Sequence, residues 1–172
     1  MPNCIRSVPS NDYDVLTQAV GAVLAAKPNS PVKVLADGTV PLTAFLPSDR
    51  AFQLLAKDLT GKWYRSESQL FSGLATTLGV DTIESVLLYH VIPGATIGSR
   101  TALKSDGAKL TTALPGGTLE VDVLSKRYRL IRLIDADRND ADPLLNPYAL
   151  DINKGNKQIA HGIWLVLRPL DI

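Results

Sequence analysis

Histidine suits acid–base chemistry near neutral pH, and this chain of 172 residues contains two, His90 and His161. His90 follows Tyr89 in the apolar run 84–94, which reads ESVLLYHVIPG. On a helix that turns about 100° per residue, His90 lies within an apolar face and Tyr89 lies to its side. The residues that centre this face are Ile83, Val86, Leu87 and Val91. The pattern predicts a buried, neutral His90 whose ring is hydrogen-bonded, and a Tyr89 that could reach a partner more easily.

The histidines are not part of a recognised catalytic motif. The sequence contains no Gly-x-Ser-x-Gly, no His-Glu-x-x-His and no Gly-x-x-x-x-Gly-Lys-[Ser/Thr]. A triad built from distant residues remains open, because triads are defined by geometry and not by order. We therefore expect a protein that is not an enzyme and has no cofactor, with a small hydrolase as the least favoured alternative.

An acidic segment, residues 135–142 (DADRNDAD), offers candidate ligands for calcium. Its first, third and fifth residues are Asp, Asp and Asn, as in the opening of an EF-hand loop. The sixth and twelfth positions hold Asp140 and Asn146 where that loop needs Gly and Glu, so no EF-hand is predicted. A solvated turn is favoured, and a looser calcium site is the weaker alternative. Its candidate ligands are Asp135, Asp137, Asn139 and Asp142.

The charge balance does not favour nucleic acid as a partner. The formal net charge is +1, and no apolar run approaches the ~18 residues of a membrane span. One basic stretch, residues 125–133 (SKRYRLIRL), would place Arg127 and Arg129 on one face of a strand, where they could hold a sulfated polysaccharide or a phosphate. Charges of this kind more often protect an exposed sheet edge, which is the interpretation we favour.

The order of elements predicts an α+β fold, with helices mostly in the first half and strands mostly in the second. Helices are expected over residues 12–27, from Ser48 to Gly61, from Ser66 to Gly79 and from Asp81 to Pro93. Strands are expected at 32–35 and 40–46 around the turn Asp37-Gly38, and later at 118–124, 129–134 and 163–167. The polar excursion 135–157 is long for a loop of a compact domain, which is typical of a functional or mobile segment.

Length and composition predict one domain over residues 1–172, with a core of about 13–169 and a flexible stretch at 1–10. The start of the chain lacks the pattern of a signal peptide, so the chain is either cytoplasmic or a mature form whose targeting segment is missing. The single cysteine, Cys4, excludes an intramolecular disulfide. It is either an incidental thiol or a lipid-attachment site.

Three stretches in order resemble the fasciclin family of extracellular adhesion domains: TAFLPSDRAFQLL (43–55), LLYHVIPG (87–94) and IAHGIWLVLRP (159–169). The resemblance covers about 13–169 and implies a small β-sandwich or wedge with several helices packed at one side. The residues that would carry the structural motif are Phe45, Pro47, Ser48, Phe52, His90 and His161. The chain departs from the family at Lys157-Gln158 and at Gly162-Ile163-Trp164.

The resemblance implies a non-catalytic adhesion or binding module, secreted or anchored at the cell surface. Its partner would be a cell-surface or matrix protein, or a polysaccharide, and a structural spacer in a larger surface protein is a further alternative. The absence of disulfides and of Asn-x-Ser/Thr fits a bacterial source. In the family, a Tyr-His segment and an Asp-Ile pair are implicated in integrin binding, which would place contacts at Tyr89, His90, Asp151 and Ile152. For Asp151 and Ile152, a turn aspartate beside a buried isoleucine is the favoured alternative.

Overall fold

Helices and short strands are interspersed along the chain in a computed structural model that describes residues 13–170. The α-helices are α1 (Asp14–Ala26), α2 (Asp49–Thr60), α3 (Glu67–Tyr89) and α4 (Ser99–Ala102), and a 3₁₀ helix covers Pro31–Leu35. The strands are β1 (Leu42–Pro47), β2 (Val91–Pro93), β3 (Lys109–Thr111), β4 (Thr118–Ser125), β5 (Leu130–Ile134) and β6 (Gln158–Ile163). This combination of helices and small sheets confirms the predicted α+β class.

The strands form two separate three-stranded sheets. In the first, β1 lies in the centre, antiparallel to β2 and parallel to β6, with Phe45 opposite His161. In the second, β3, β4 and β5 form an antiparallel meander. All six residues of β1 and all six of β6 are buried. This first sheet is therefore covered on both faces, and the described strands do not close into a barrel.

Two hydrophobic clusters occupy the two faces of the first sheet. One cluster joins α1, α2 and α3 to one face of β1. The other fills the space between the two sheets, where Phe45, Tyr89 and Ile131 are buried together. The result is a wedge of two small sheets with the helices packed at one side, as the resemblance implied.

Helix ends in the first half follow the predicted capping signals. The Ser48 hydroxyl accepts the amide of Ala51 at 3.3 Å, and Gly61 ends α2 in the left-handed conformation, with φ of 72°. Gly79, with φ of 77° and ψ of 163°, breaks α3 where the sequence places the end of one helix and the start of the next. A side chain would strain both glycine positions, which is why glycine punctuates the helices there.

The free backbone amides at the start of α1 are capped by a side chain of another helix. Tyr13 at its N-cap position makes no side-chain capping bond, and the predicted cap Asp12 lies outside the described residues. The Asp49 carboxylate of α2 instead accepts the amides of Val15 at 3.0 Å and of Asp14 at 3.3 Å. Among the described residues, a tertiary contact thus caps the start of α1.

Two of the predicted elements are wrong. No hairpin forms around Asp37-Gly38, because Pro31 starts a 3₁₀ helix that Ser30 caps by accepting the amide of Val32. The helix predicted to reach Pro93 ends at Tyr89. Residues 91–93 instead extend as β2 and pair with β1, since backbone pairing there satisfies the peptide groups that a further helical turn would use.

The last strand starts and ends earlier than predicted. It covers Gln158–Ile163 rather than 163–167, because parallel pairing with β1 runs from Leu42 opposite Gln158 to Pro47 opposite Ile163. Beyond it, the amide of Trp164 bonds to the carbonyl of Leu144, which turns the chain out of the sheet.

The excursion 135–157 is tied to both sheets by isolated bridges, among them Leu145 with Ile163 and Ile152 with Ala160. The predictions for Cys4 and for residues 1–10 fall outside the described residues. Within 13–170, no helix has the length and apolar character needed to span a bilayer.

Candidate functional site

The His90 ring is locked between two backbone groups in the core. The side chain is 3% exposed. Nδ1 lies 2.6 Å from the carbonyl oxygen of Val86, and Nε2 accepts the amide of Leu167 at 3.0 Å. A carbonyl can only accept and an amide can only donate, so Nδ1 carries the proton and the ring is neutral. His90 thereby ties the end of α3 to the segment that follows β6.

Burial lowers the pKa of His90 to about 4, against an opposing effect of the bond to Val86. A ring that stays neutral at physiological pH and has both nitrogens engaged is not available as an acid or base. These contacts agree with the predicted core histidine and leave no part of His90 for a partner in this conformation.

Tyr89 is also buried, so the prediction that it lies accessible to the side is wrong. Its side chain is 1% exposed and its hydroxyl donates to the carbonyl of Thr118 at 2.7 Å. Burial, followed by the nearby Asp135 carboxylate, raises the pKa of Tyr89 to about 12. The helical projection failed because the second sheet covers the flank of α3 on which Tyr89 lies, and a projection of one helix cannot include that sheet.

The second histidine, His161, is fixed in the same way on β6. Its Nε2 donates to the carbonyl of Ile97 at 2.8 Å, and its Nδ1 accepts the amide of Asp151 at 3.2 Å. Burial lowers the pKa of this ring. Both histidines therefore act as connectors between segments that are distant in sequence.

Asp151 belongs to the same network, and its carboxylate faces inward. One carboxylate oxygen accepts the amide of Ser99, the other accepts its hydroxyl, and both distances are 2.6 Å. Burial alone would raise the pKa of Asp151, but the two bonds from Ser99 bring it below its usual value. Ile152 is partly buried and bridges to Ala160. The favoured interpretation, a turn aspartate beside a buried isoleucine, agrees with the inward Asp151 carboxylate, although Ile152 is only partly buried.

The acidic segment is organised around Arg168. The guanidinium contacts Asp140, Asp58 at 2.9 Å and Asp137 at 3.5 Å, and the Arg168 amide donates to Asp135 at 2.9 Å. These contacts hold the end of the chain against the excursion and against α2.

The looser calcium site is not assembled from these carboxylates. Asp135 and Asp137 each accept a loop amide two residues further on, from Asp137 and Asn139 respectively. In residues 13–170, the group of three acidic side chains whose oxygens come within 4.8 Å is instead Asp14, Asp49 and Glu67, and Asp49 already accepts two amides. Oxygens that point at backbone amides are not arranged to surround a cation.

A cavity of about 580 Å³ lies beside this segment, bordered by Tyr89, Lys109, Asp135 and Arg138. The pKa of Asp135 is raised to about 6, chiefly by burial; the amide bonds from Arg168 and Asp137 oppose the rise, and the Asp142 and Asp137 carboxylates add to it. The structure thus brings the Tyr-His segment close to the acidic end of the excursion, and places the Asp151 network around α4 and β6.

Comparison with known proteins gives the family. The model described as the fasciclin domain matches residues 14–142, which is more than half of the chain. The chain belongs to the fasciclin domain family. No curated protein matches it significantly.

A solved structure with the same fold as this fasciclin domain is a FAS1 domain pair from the insect cell adhesion molecule fasciclin I. The TM-score is 0.60 and the sequence identity is 18%, so the match shows a shared fold. It covers 92% of this chain and 48% of that pair, and the chain thus spans about half the length of its structural relative. Fasciclin domains are typically extracellular or cell-adhesion modules.

The motif residues of the fasciclin domain are structural. Phe45 on β1 packs between the two sheets, with its ring centroid 6.2 Å from that of His161. Pro47 ends β1, Ser48 caps α2, and Phe52 is buried on the inner face of α2. They fix the strand–turn–helix geometry on which the helical layer rests.

The centre of the basic stretch, residues 126–129, is a hairpin tip and not part of a strand. Lys126, Arg127 and Arg129 lie in the turn between β4 and β5, and Arg129 has a positive φ of 54°. Of the four basic residues, Arg132 alone lies on a strand, where it pairs with Asp122 at 2.5 Å. The prediction that Arg127 and Arg129 share one face of a strand is therefore wrong.

Sequence reasoning missed a groove between α2 and the first half of α3. It has a volume of about 930 Å³ and is bordered by Trp63, Tyr64 and the exposed hydroxyl side of α3. Trp63 lies in the short connection after Gly61 and is 54% exposed. The one sequence signal was a tryptophan and a tyrosine in a polar linker, KWYRSES, between two capped helices.

Proposed function

We propose that this fasciclin domain is a non-catalytic binding module that acts outside the cell, secreted or anchored at the cell surface. The observation that supports this most is that both histidine rings are buried, with each nitrogen bonded to a backbone group. A hydrolase of the Ser-His-Asp type needs a histidine nitrogen that faces its nucleophile. Neither His90 nor His161 can take that role without breaking the core.

The proposed partner is a cell-surface or matrix protein. Large apolar side chains are exposed near the end of β6 and in the excursion, where Trp164 is 54% and Tyr148 is 94% exposed. Exposed aromatic side chains are typical anchors of protein interfaces. Tyr89 and His90 are buried, so a contact with them needs a rearrangement. A partner contact at Asp151 and Ile152 also remains a proposal that needs a rearrangement, because the Asp151 carboxylate would first have to break its bonds to Ser99.

Cell attachment to surfaces coated with the purified chain tests the proposal, together with an esterase and glycosidase screen of the same sample. Attachment with no hydrolysis is the expected result, and turnover of any substrate by the pure chain would refute it. Asp151→Ala and Asp106→Ala form a matched pair, because each carboxylate accepts a backbone amide but Asp106 lies in a different loop. Loss of attachment in Asp151→Ala alone, at a temperature where circular dichroism shows both variants fully folded, would place a contact there.

Polysaccharide binding is the second candidate, and the α2–α3 groove favours it because its border combines an exposed tryptophan with hydroxyl groups. A glycan array separates this candidate from protein adhesion. A spacer without any ligand would give neither attachment nor glycan binding. A bacterial source stays a prediction.

A further inference from the structure

The α2–α3 groove is pre-formed by packing around one glycine. The hydroxyl end of the Tyr64 ring packs against α3 at Gly73, where an added Cβ would come within 2.7 Å of the Tyr64 ring atom Cε1. The carbonyl of Tyr64 accepts the side-chain amide of Gln53 at 2.6 Å. Lys57 donates to the carbonyl of Gly61 at 2.6 Å. The connection that carries Trp63 is therefore fixed at both ends, which reduces the entropy lost when a ligand binds.

The groove offers hydroxyl and amide groups and almost no charge. Lys62 is the one charged residue among the described residues that border it, and no carboxylate does so. Cations are therefore poor ligands for it, and a single lysine gives little attraction for a polyanion. Its polar residues project from one side of α3 and from the end of α2: Thr60, Ser68, Gln69, Ser72, Thr76 and Thr77.

These polar groups divide into acceptors and donors. The hydroxyls of Thr76 and Thr77 donate to the helix carbonyl four residues earlier, at 2.8 and 2.9 Å, so their lone pairs face outward. The Thr60 hydroxyl donates to Ala56 at 2.7 Å and also accepts the amide of Lys62 at 3.3 Å, which leaves it less acceptor capacity. Ser68 and Gln69 keep side-chain hydrogens for a ligand, since both are exposed on the same side of α3. A ligand with many hydroxyls can donate to the first set and accept from the second.

Trp63 adds an apolar surface to this polar row. An indole presents a flat face for C–H groups, and a polar edge that can stay in water. A pyranose ring has a face of C–H groups and a rim of hydroxyls, so it can pack on Trp63 while its hydroxyls reach α3. The row from Ser68 to Thr76 extends about 12 Å at 1.5 Å per residue, which accommodates a short run of sugar rings.

We propose that the α2–α3 groove binds a neutral oligosaccharide chain, with Trp63 as the stacking platform and the α3 hydroxyl row as the hydrogen-bonding wall. This inference rests on the proposed function, since it names the ligand class of a binding module. The sugar would bind at the α2–α3 groove, whereas the exposed aromatic side chains of Tyr148 and Trp164 lie on other segments and stay available to a protein partner.

The two tryptophans of the chain give a matched test, because Trp63 and Trp164 are each 54% exposed. The probes are the neutral hexasaccharides cellohexaose, laminarihexaose, xylohexaose and mannohexaose, titrated calorimetrically into the intact chain. We expect at least one to bind, Trp63→Ala to weaken that binding at least tenfold, and Trp164→Ala to leave it unchanged. In Trp164→Phe, where Trp63 is the remaining tryptophan, the same titration should change the fluorescence.

A second variant distinguishes a blocked groove from a misfolded protein. Ser72→Arg places a long side chain into the groove from an exposed helix position, and should abolish binding without lowering the melting temperature. Binding of no hexasaccharide, binding of sulfated oligosaccharides alone, or equal losses in Trp63→Ala and Trp164→Ala would each overturn the inference. Cell attachment that persists in Trp63→Ala would then leave the proposed function standing, whereas an unmodified chain that neither attaches cells nor binds any hexasaccharide would remove both.

Discussion

Acid should destabilise this protein through His90. The folded pKa of about 4 compares with an ordinary value of 6.5. Between these values the unfolded chain binds a proton that the folded core excludes. The stabilising contribution is therefore fully present above pH 6.5 and is lost as the pH falls towards 4.

The size of this effect follows from the pKa difference. A difference of 6.5 − 4 = 2.5 pKa units corresponds to about 3 kcal/mol at 1.36 kcal/mol per unit. For a chain of this size, about 3 kcal/mol is equivalent to roughly 6–12 °C in melting temperature. That is a large fraction of the 5–15 kcal/mol by which domains are typically stable.

His90→Asn isolates the contribution, because asparagine cannot titrate and can keep a donor near Val86. It leaves the Leu167 amide without its acceptor, so we expect a pH-independent cost of about 1–3 kcal/mol. The assay is urea unfolding of both proteins at several pH values from 4 to 7.5. Subtracting the variant from the wild type removes the other titrating groups, among them Asp135, whose effect has the opposite sign.

The stability of the wild type relative to His90→Asn should fall by about 3 kcal/mol from pH 7.5 to 4, which is enough to cancel or reverse the initial advantage of the wild type. A difference that stays constant over this range would show that the folded state protonates His90 as easily as the unfolded chain does, and would refute the buried, neutral ring. His90→Ala supplies a second check at pH 7. It should lower the melting temperature, and a wild-type melting temperature would contradict the packing described above.

Three further predictions use the same unfolding assay. The pKa of Asp135 is raised to about 6, so its stabilising contribution is present below about pH 3.8 and is lost as the pH rises through 6. The free energy of unfolding of the wild type, relative to that of Asp135→Asn, should therefore fall between these pH values. Asp49→Ala should cost about 1–2 kcal/mol by uncapping α1, whereas Asp49→Asn should cost less, and equal costs would argue against capping. Asp151→Ala should cost about 1–3 kcal/mol because it leaves the buried Ser99 without an acceptor, and a neutral outcome would place that carboxylate in solvent.

Local signals in the sequence were sufficient for much of the helical layer. Ser48 and Gly61 bound α2 as predicted, because a capping hydroxyl and a left-handed glycine act within one turn of the chain. The break at Gly79 and the alternation in β4 have the same local character. The prediction of a buried His90 also depended only on its place on an apolar helix face.

Elements that depend on a distant partner were predicted less well. The end of α3, the extent of β6 and the absence of a hairpin at Asp37-Gly38 follow from pairing with β1 and from a 3₁₀ helix started by Pro31. Each short apolar segment was compatible with more than one structure. Pairing across the sheet decided between them.

The sequence by itself determined the α+β class, the family motifs and the inward position of His90, since these rest on periodicity, capping and residue type along contiguous stretches. The tertiary structure alone decided what the candidate site residues do. It buried Tyr89 under the second sheet, turned the Asp151 carboxylate towards Ser99 and placed Trp63 beside the hydroxyl row of α3. The physical reason is that burial and hydrogen-bond partners are properties of segments brought together by folding, and no pattern within one segment contains them.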